Sequence, residues 1–223
     1  TILEEFIKQS KNEFPEDASG LFMKITNNVL KKDVPWPAAR RLWLARMHAV
    51  SSSFINEEIK RRTHGVNIAL ERRGEMDFHD LKFKLTAKAD RIDQGKDGLR
   101  LYDYKASKPP SLGDIQYFDK QLQLEAMIAF HNGFNRIQKQ SIEHLEYISL
   151  GPDLKKQAID IDDQEVIKIL DEFRSLISIY NDTSKGFTAR DKIQFLKHMS
   201  DYDQLSRKGE WQDSDIPNPR VVG

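Results

Sequence analysis

Near residue 65 the texture of this chain changes, and that change constrains its fold more than any other feature. Up to residue 62 apolar side chains recur every three or four positions: Leu3, Phe6 and Ile7; Leu21, Phe22, Ile25, Val29 and Leu30; then Leu42, Leu44, Met47, Val50, Phe54, Ile55 and Ile59. The step Pro35-Trp36-Pro37 divides the second helical run from the third. From Val66 apolar and polar residues alternate in short runs, Val66 to Leu70, Phe83 to Ala87 and Leu99 to Tyr102, with turns expected at Arg73-Gly74 and Asp97-Gly98. A helix is expected from about Ile115 to Gly133, a strand from Leu145 to Leu150, and a last helix from a capping box at Asp162 and Glu165 through Tyr180. Helices followed by strands that alternate with helices describe an α/β protein. The expected division is a helical section over 1–62, a core over 63–186 and a tail over 187–223. In the tail Phe187, Phe195, Tyr202, Leu205 and Trp211 would pack on the core, and residues 213–223 would fray.

Composition removes several classes of function. Thirty-five basic residues balance 35 acidic ones, so no global field draws the chain to nucleic acid or to an anionic membrane, and any such contact must be local. The absence of cysteine excludes disulfides, a zinc ribbon and an iron-sulfur cluster, and fits a reducing cytoplasm. No run approaches the roughly 18 continuous apolar residues of a membrane span. The opening Thr1-Ile2-Leu3-Glu4-Glu5-Phe6-Ile7 has neither an initiator Met nor the order of a signal peptide, so the chain reads as part of a larger protein.

Chemistry concentrates between Lys88 and Lys105. Alternation along a strand puts Asp103 and Lys105 on one face and Tyr102 and Tyr104 on the other. A two-residue turn at Asp97-Gly98 would set Asp90 opposite Lys105, whereas a four-residue loop from Gly95 to Gly98 would set it opposite Asp103; directly opposed residues share a face. Both arrangements gather two carboxylates and one ammonium. Such a cluster suits Mg²⁺ or Mn²⁺, which prefer oxygen ligands, and the chemistry expected of it is phosphodiester hydrolysis.

Asp90, a turn, and then Asp103-Tyr104-Lys105 resembles the core of the PD-(D/E)XK nuclease superfamily. Ala89-Asp90-Arg91-Ile92-Asp93, Gln121-Leu122-Gln123-Leu124-Glu125-Ala126 and Asp201 to Arg207 with Glu210-Trp211 resemble its RecB/AddB branch. The resemblance implies a restriction-endonuclease-like α/β fold, a central mixed sheet flanked by helices with a helical N-terminal section. It implies Asp90, Asp103 and the backbone carbonyl of Tyr104 as metal ligands, Lys105 as the catalytic lysine, and Gln121 as the glutamine of a Gln-x-x-x-Tyr motif. It also implies a magnesium- or manganese-dependent DNA exonuclease in the bacterial cytoplasm. There it would resect DNA ends in double-strand break repair, beside an AddA-like helicase-nuclease partner. Two departures stand out: Glu125 occupies the motif's tyrosine position, and the family's first-helix histidine would fall one residue before Thr1, leaving Glu4 and Glu71 near the site without a role. A nuclease fold kept only for guiding DNA or docking a subunit is the alternative these departures favour.

Asp93 and Arg91 fall on the opposite face by parity, which assigns Asp93 a structural or surface role and Arg91 a salt bridge. The six histidines show no metal-ligand spacing. Lys108, Arg40 and Arg41 are weak candidates for touching DNA, as are Lys60, Arg61 and Arg62. Trp36, Trp43 and Trp211 read as packing anchors.

Overall fold

The computed structural model describes residues 1–11, 13–151, 153–185, 203–212 and 214–216. Three helices come first: α1 (Ile2–Gln9), α2 (Ala18–Asp33) and α3 (Pro37–His64). Local signals set their starts. Thr1 and Glu4 form a reciprocal capping box, the Asp17 carboxylate accepts from the Gly20 N–H, and Pro37 occupies the first turn of α3, where its missing N–H costs nothing.

The sheet follows as β1 (Gly65–Phe78), β2 (Phe83–Gly95), β3 (Leu99–Lys105), β4 (Ile142–Ser149) and β5 (Lys156–Ile159), in that spatial order. Its first three strands and its last pair are antiparallel, while β3 and β4 run parallel. A parallel pair needs a crossover, supplied by α4 (Leu112–Tyr117) and α5 (Gln121–Phe130). The chain continues into α6 (Asp163–Asn181). This is the mixed-sheet α/β architecture expected from the sequence.

Both faces of the sheet are covered. Leu99 and Leu101 join Leu122, Ala126, Met127 and Val166 in a core under α5 and α6, while Tyr102 and Ile148 join Phe6, Phe22 and Phe54 under α1 to α3. The alternation of β3 divides its side chains between these layers. No described helix is long and apolar enough to cross a membrane.

Four local expectations differ from the structure. Arg73-Gly74 is no turn; Gly74 lies inside β1 opposite Ala87, and a Cβ there would come 2.5 Å from the Phe134 ring, so the glycine is a packing notch. The actual reversal is a 3₁₀ turn at His79–Leu81 that ends with Lys82 in the left-handed region, a turn without the glycine that would have announced it. The single helix expected from Ile115 to Gly133 is two, broken at 118–120, and β5 was not anticipated. Only half of the Asp162 capping box forms: Asp162 accepts from the Glu165 N–H at 2.8 Å, but the Glu165 carboxylate turns to Lys168. In the tail Leu205 is 81% exposed, because the 203–210 segment folds back on itself with Lys208 N donating to Asp203 O, and the Trp211 indole donates to Ser206 O. Phe187, Phe195 and Tyr202 lie outside the described residues, as do residues 213 and 217–223.

Candidate nuclease site

The hairpin between β2 and β3 closes through a four-residue loop, Gly95 N donating to Gly98 O at 2.9 Å, with Gln94 paired to Leu99 and Arg91 to Tyr102. One step further along this register, Asp90 falls opposite Asp103. The β2–β3 ladder ends at Arg91 and Tyr102, which would leave the Tyr104 N–H without a partner; the Asp90 Oδ2 accepts it at 2.9 Å. Within one strand residue the N–H and C=O point to the same side, so the Tyr104 carbonyl also faces the Asp90 side.

Asp90 sits at an irregularity in β2. Ala89 and Ile92, three residues apart, both enter the core under α5 and α6, so strict alternation breaks between them. Across the ladder, Glu71 has a φ of 49° and its carboxylate pairs with Lys88. A non-glycine residue in that region marks a local deformation of the pair.

Three of the four residues expected to act together, Asp103, Lys105 and Gln121, are joined in one network, and Asp90 stands beside it, bonded to the Tyr104 N–H. Lys105 Nζ lies 3.0 Å from Asp103 Oδ2 and donates to Gln121 Oε1 at 2.8 Å. Gln121 Nε2 donates to Asp103 Oδ1 at 2.7 Å and to Glu125 Oε1 at 3.1 Å. Gln121 opens α5 and Glu125 follows one turn later on the same helix face. The structure therefore brings Glu125 into the cluster, a residue that sequence reading had treated only as a departure from a motif.

Acids dominate the electrostatics here. Burial pushes Asp90 up to about 6, helped by the charges of Asp103 and Glu71 and opposed by the Tyr104 N–H. Burial likewise raises Asp103, and it carries Glu125 up to about 8, with Asp103 and Asp90 adding to the effect. Glu125 Oε2 is buried without a hydrogen bond, and Asp103 Oδ2, also buried, has only its ion pair with Lys105. Two oxygens of that kind are what a hard cation would satisfy, and Asp90, Asp103 and the Tyr104 carbonyl are oxygen donors of the type Mg²⁺ and Mn²⁺ take. Among the described residues no three acidic or histidine side chains are drawn into a ready-made cage, and Lys105 and Gln121 hold both Asp103 oxygens.

A sequence profile of the PD-(D/E)XK nuclease superfamily matches residues 1–201. The chain belongs to that superfamily. It is also similar to uncharacterized proteins of Rickettsia bellii (27% identical over 138 residues, 60% of this chain and 17% of that protein), Rickettsia typhi (27% over 143 residues, 61% and 17%) and Rickettsia felis (28% over 142 residues, 60% and 17%). The match thus spans about one-sixth of the length of these relatives.

Around this cluster, the other candidate residues separate. Arg91 and Asp93 lie on the opposite face as parity requires, both fully buried, with Arg91 Nε donating to Asp93 Oδ1 at 2.8 Å and Nη1 bonded to Glu58. Of the surface alternatives for Asp93, the structural one holds. Arg61 and Arg62 do not line a channel: both are spent on Glu58, at 2.9 and 2.8 Å, and Lys60 pairs with Glu57. Arg40 reaches back to Pro35 O, while Arg41 and Lys108 are exposed and make no contact with the cluster. The basic residue of α3 that does approach the site is Arg46, whose guanidinium donates to Ala106 O just beyond Lys105. Nothing in its local sequence distinguishes it from its arginine neighbours. Trp36 is 69% exposed, so it is no packing anchor. Glu4 is occupied by Lys8 at 2.7 Å. His198 lies outside the described residues, and none of the other five histidines joins the cluster. Next to Glu71 and Lys88, an open polar groove of about 1220 Å³ runs along the β1–β2 hairpin past Arg72 and Arg73.

Proposed function

We propose that this domain hydrolyses DNA phosphodiesters with Mg²⁺ or Mn²⁺, working inward from ends as an exonuclease. The observation that carries the reading is the bonded cluster of Asp103, Lys105 and Gln121, with Asp90 held beside it by the Tyr104 N–H. Asp90, Asp103 and the Tyr104 carbonyl would hold the ion, which when bound supplies Lewis-acid polarisation of a phosphoryl oxygen. Lys105 offsets charge developing on the phosphoryl oxygens as the bond from water oxygen to phosphorus forms and the bond to the leaving sugar oxygen breaks. Gln121 holds the Lys105 ammonium through its carbonyl and Asp103 through its amide, which fixes both before substrate arrives. The open groove lined by Glu71 and Lys88, which flank Asp90 across and along the strands, would give a polymer a path towards the cluster.

The wider setting rests on resemblance to the RecB/AddB branch: a domain of a larger bacterial cytoplasmic subunit that joins an AddA-like helicase-nuclease partner in end resection during double-strand break repair. Arg40, Arg41 and Lys108 would make at most peripheral DNA contacts. The test is digestion of end-labelled linear DNA and of a covalently closed circle with Mn²⁺, comparing wild type with Lys105→Ala. Cleavage of the linear DNA alone, lost in the variant, is the expected result; a wild type inactive on both would leave the fold as a docking or DNA-guiding module.

A further inference from the structure

The break between α4 and α5 has a physical cause outside the helices. Lys120, at the N-cap of α5, offers no side-chain cap, so the first-turn N–H groups depend on other partners. One of them, Leu122 N–H, donates 3.1 Å to the hydroxyl of Tyr147, and that hydroxyl donates 2.8 Å to Asp119 Oδ1. A residue of β4 thereby caps α5 and pins the link before it, and Gln121 lies between the two pinned positions. Without this tie the apolar periodicity through 115–133 would favour a continuous helix, which would rotate Gln121 away from Asp103.

Tyr147 reaches the site a second way. It is the partner of Asp103 in the parallel β3–β4 ladder, it is fully buried, and the Lys105 Nζ sits 5.2 Å from its ring centroid. That distance is within the range of a cation–π contact, which strengthens when the cation is desolvated. Burial keeps the phenol neutral, as donating and accepting at once require.

We propose that Tyr147 is a positioning residue of the nuclease site, bearing Lys105 on its ring and setting Gln121 through its hydroxyl. The catalytic consequence rests on the nuclease reading; the placement does not. Two variants separate the two contacts. Tyr147→Phe keeps the ring and removes the hydroxyl, and Tyr147→Leu removes both. Should the leucine variant fail to fold, the phenylalanine variant alone carries the test.

In proton NMR the Lys105 Hε signals are expected upfield, shifted by the ring current, in wild type and Tyr147→Phe, and near their ordinary position in Tyr147→Leu. Per folded molecule, kcat for linear DNA should fall about tenfold in Tyr147→Phe and about 100-fold in Tyr147→Leu, with KM and Mn²⁺ affinity unchanged. A purely structural tyrosine would lower the folded fraction and leave kcat per folded molecule at the wild-type value, which overturns the proposal. Ordinary Lys105 Hε positions in the wild type overturn it as well. A wild type that cleaves nothing overturns the nuclease reading and with it the kinetic consequence, while the Lys105 signals still decide the placement.

Discussion

On one face of β2 and β3, Glu58 and Asp93 meet three guanidiniums, those of Arg61, Arg62 and Arg91; on the other, Asp90, Asp103 and Glu125 share a single ammonium, Lys105. Glu58, Arg61, Arg91, Asp93, Asp103 and Glu125 are buried, and Arg62, Asp90 and Lys105 are half-buried. Burial works to raise the Glu58 carboxyl, yet Arg91 with Arg61 and Arg62 overcomes it and holds Glu58 below its usual range. Glu125, with burial of the same order and no cation bonded to it, is pushed up to about 8. The first face leaves Arg91 Nη2 and Asp93 Oδ2 without a hydrogen bond, one of each sign, whereas the second leaves Glu125 Oε2 without one and gives Asp103 Oδ2 only the Lys105 ammonium. The first face compensates its charge internally and ties α3 to the sheet. The second is short of positive charge, which is what the proposed binding of a cation there would offset.

Four experiments break or sharpen that contrast. Glu58→Ala takes from Arg61, Arg62 and Arg91 the carboxylate they share, leaving buried Arg61 without its ion-pair partner, and should cost about 3–5 kcal/mol in urea unfolding, whereas Asp103→Ala should leave the domain folded by circular dichroism and remove its response to Mn²⁺. Equal losses in the two would erase the distinction between the faces.

Glu125 gives the next effect. Its folded pKa of about 8 exceeds the unfolded 4.5, so its contribution to stability is complete below 4.5 and lost as pH rises through 8. In the metal-free protein Glu125→Gln should flatten this decline, which is on the order of a few kcal/mol, and urea midpoints across that window measure it. An unchanged slope would mean that another group carries the linkage.

Manganese should act on the same acids. At a concentration about 100-fold above Kd it should stabilise the wild type by about 2.7 kcal/mol at pH 8, and by less below the value of about 6 held by Asp90, where protons compete for the carboxylates. A thermal shift of equal size at both pH values would argue against binding at these residues. The smallest effect on function belongs to Asp93→Asn: a loss of about 1–3 kcal/mol in stability, with nuclease activity per folded molecule unchanged. Loss of activity in that variant would place Asp93 in the site and make the register of the hairpin wrong.

Much of this organisation is legible in the chain itself. Alternation from Leu99 to Lys105 needs no tertiary information to put Asp103 with Lys105 and away from Tyr104, because a strand has a period of two. The same parity separates Asp93 from Asp90, even though β2 loses strict alternation at that point. Other elements were hidden because their determinants are remote in sequence. Gly74 resembles a turn glycine until Phe134 is seen against it. Residues 115–133 carry continuous helical periodicity, and the hydroxyl that accepts from the first turn after their break lies on a strand 25 residues beyond Leu122.

The sequence alone determined the α/β class, the helical layer before the sheet, and the shared face of Asp90, Asp103 and Lys105, since periodicity and strand parity are local properties of the backbone; Gln121 was named only through the family resemblance. Tertiary structure decided the rest. It chose the four-residue loop that sets Asp90 against Asp103, brought in Glu125 and Tyr147, and gave one face compensated charge and the other an excess of acid. Those outcomes depend on which side chains share a desolvated volume, and desolvation is a property of packing that no local pattern encodes.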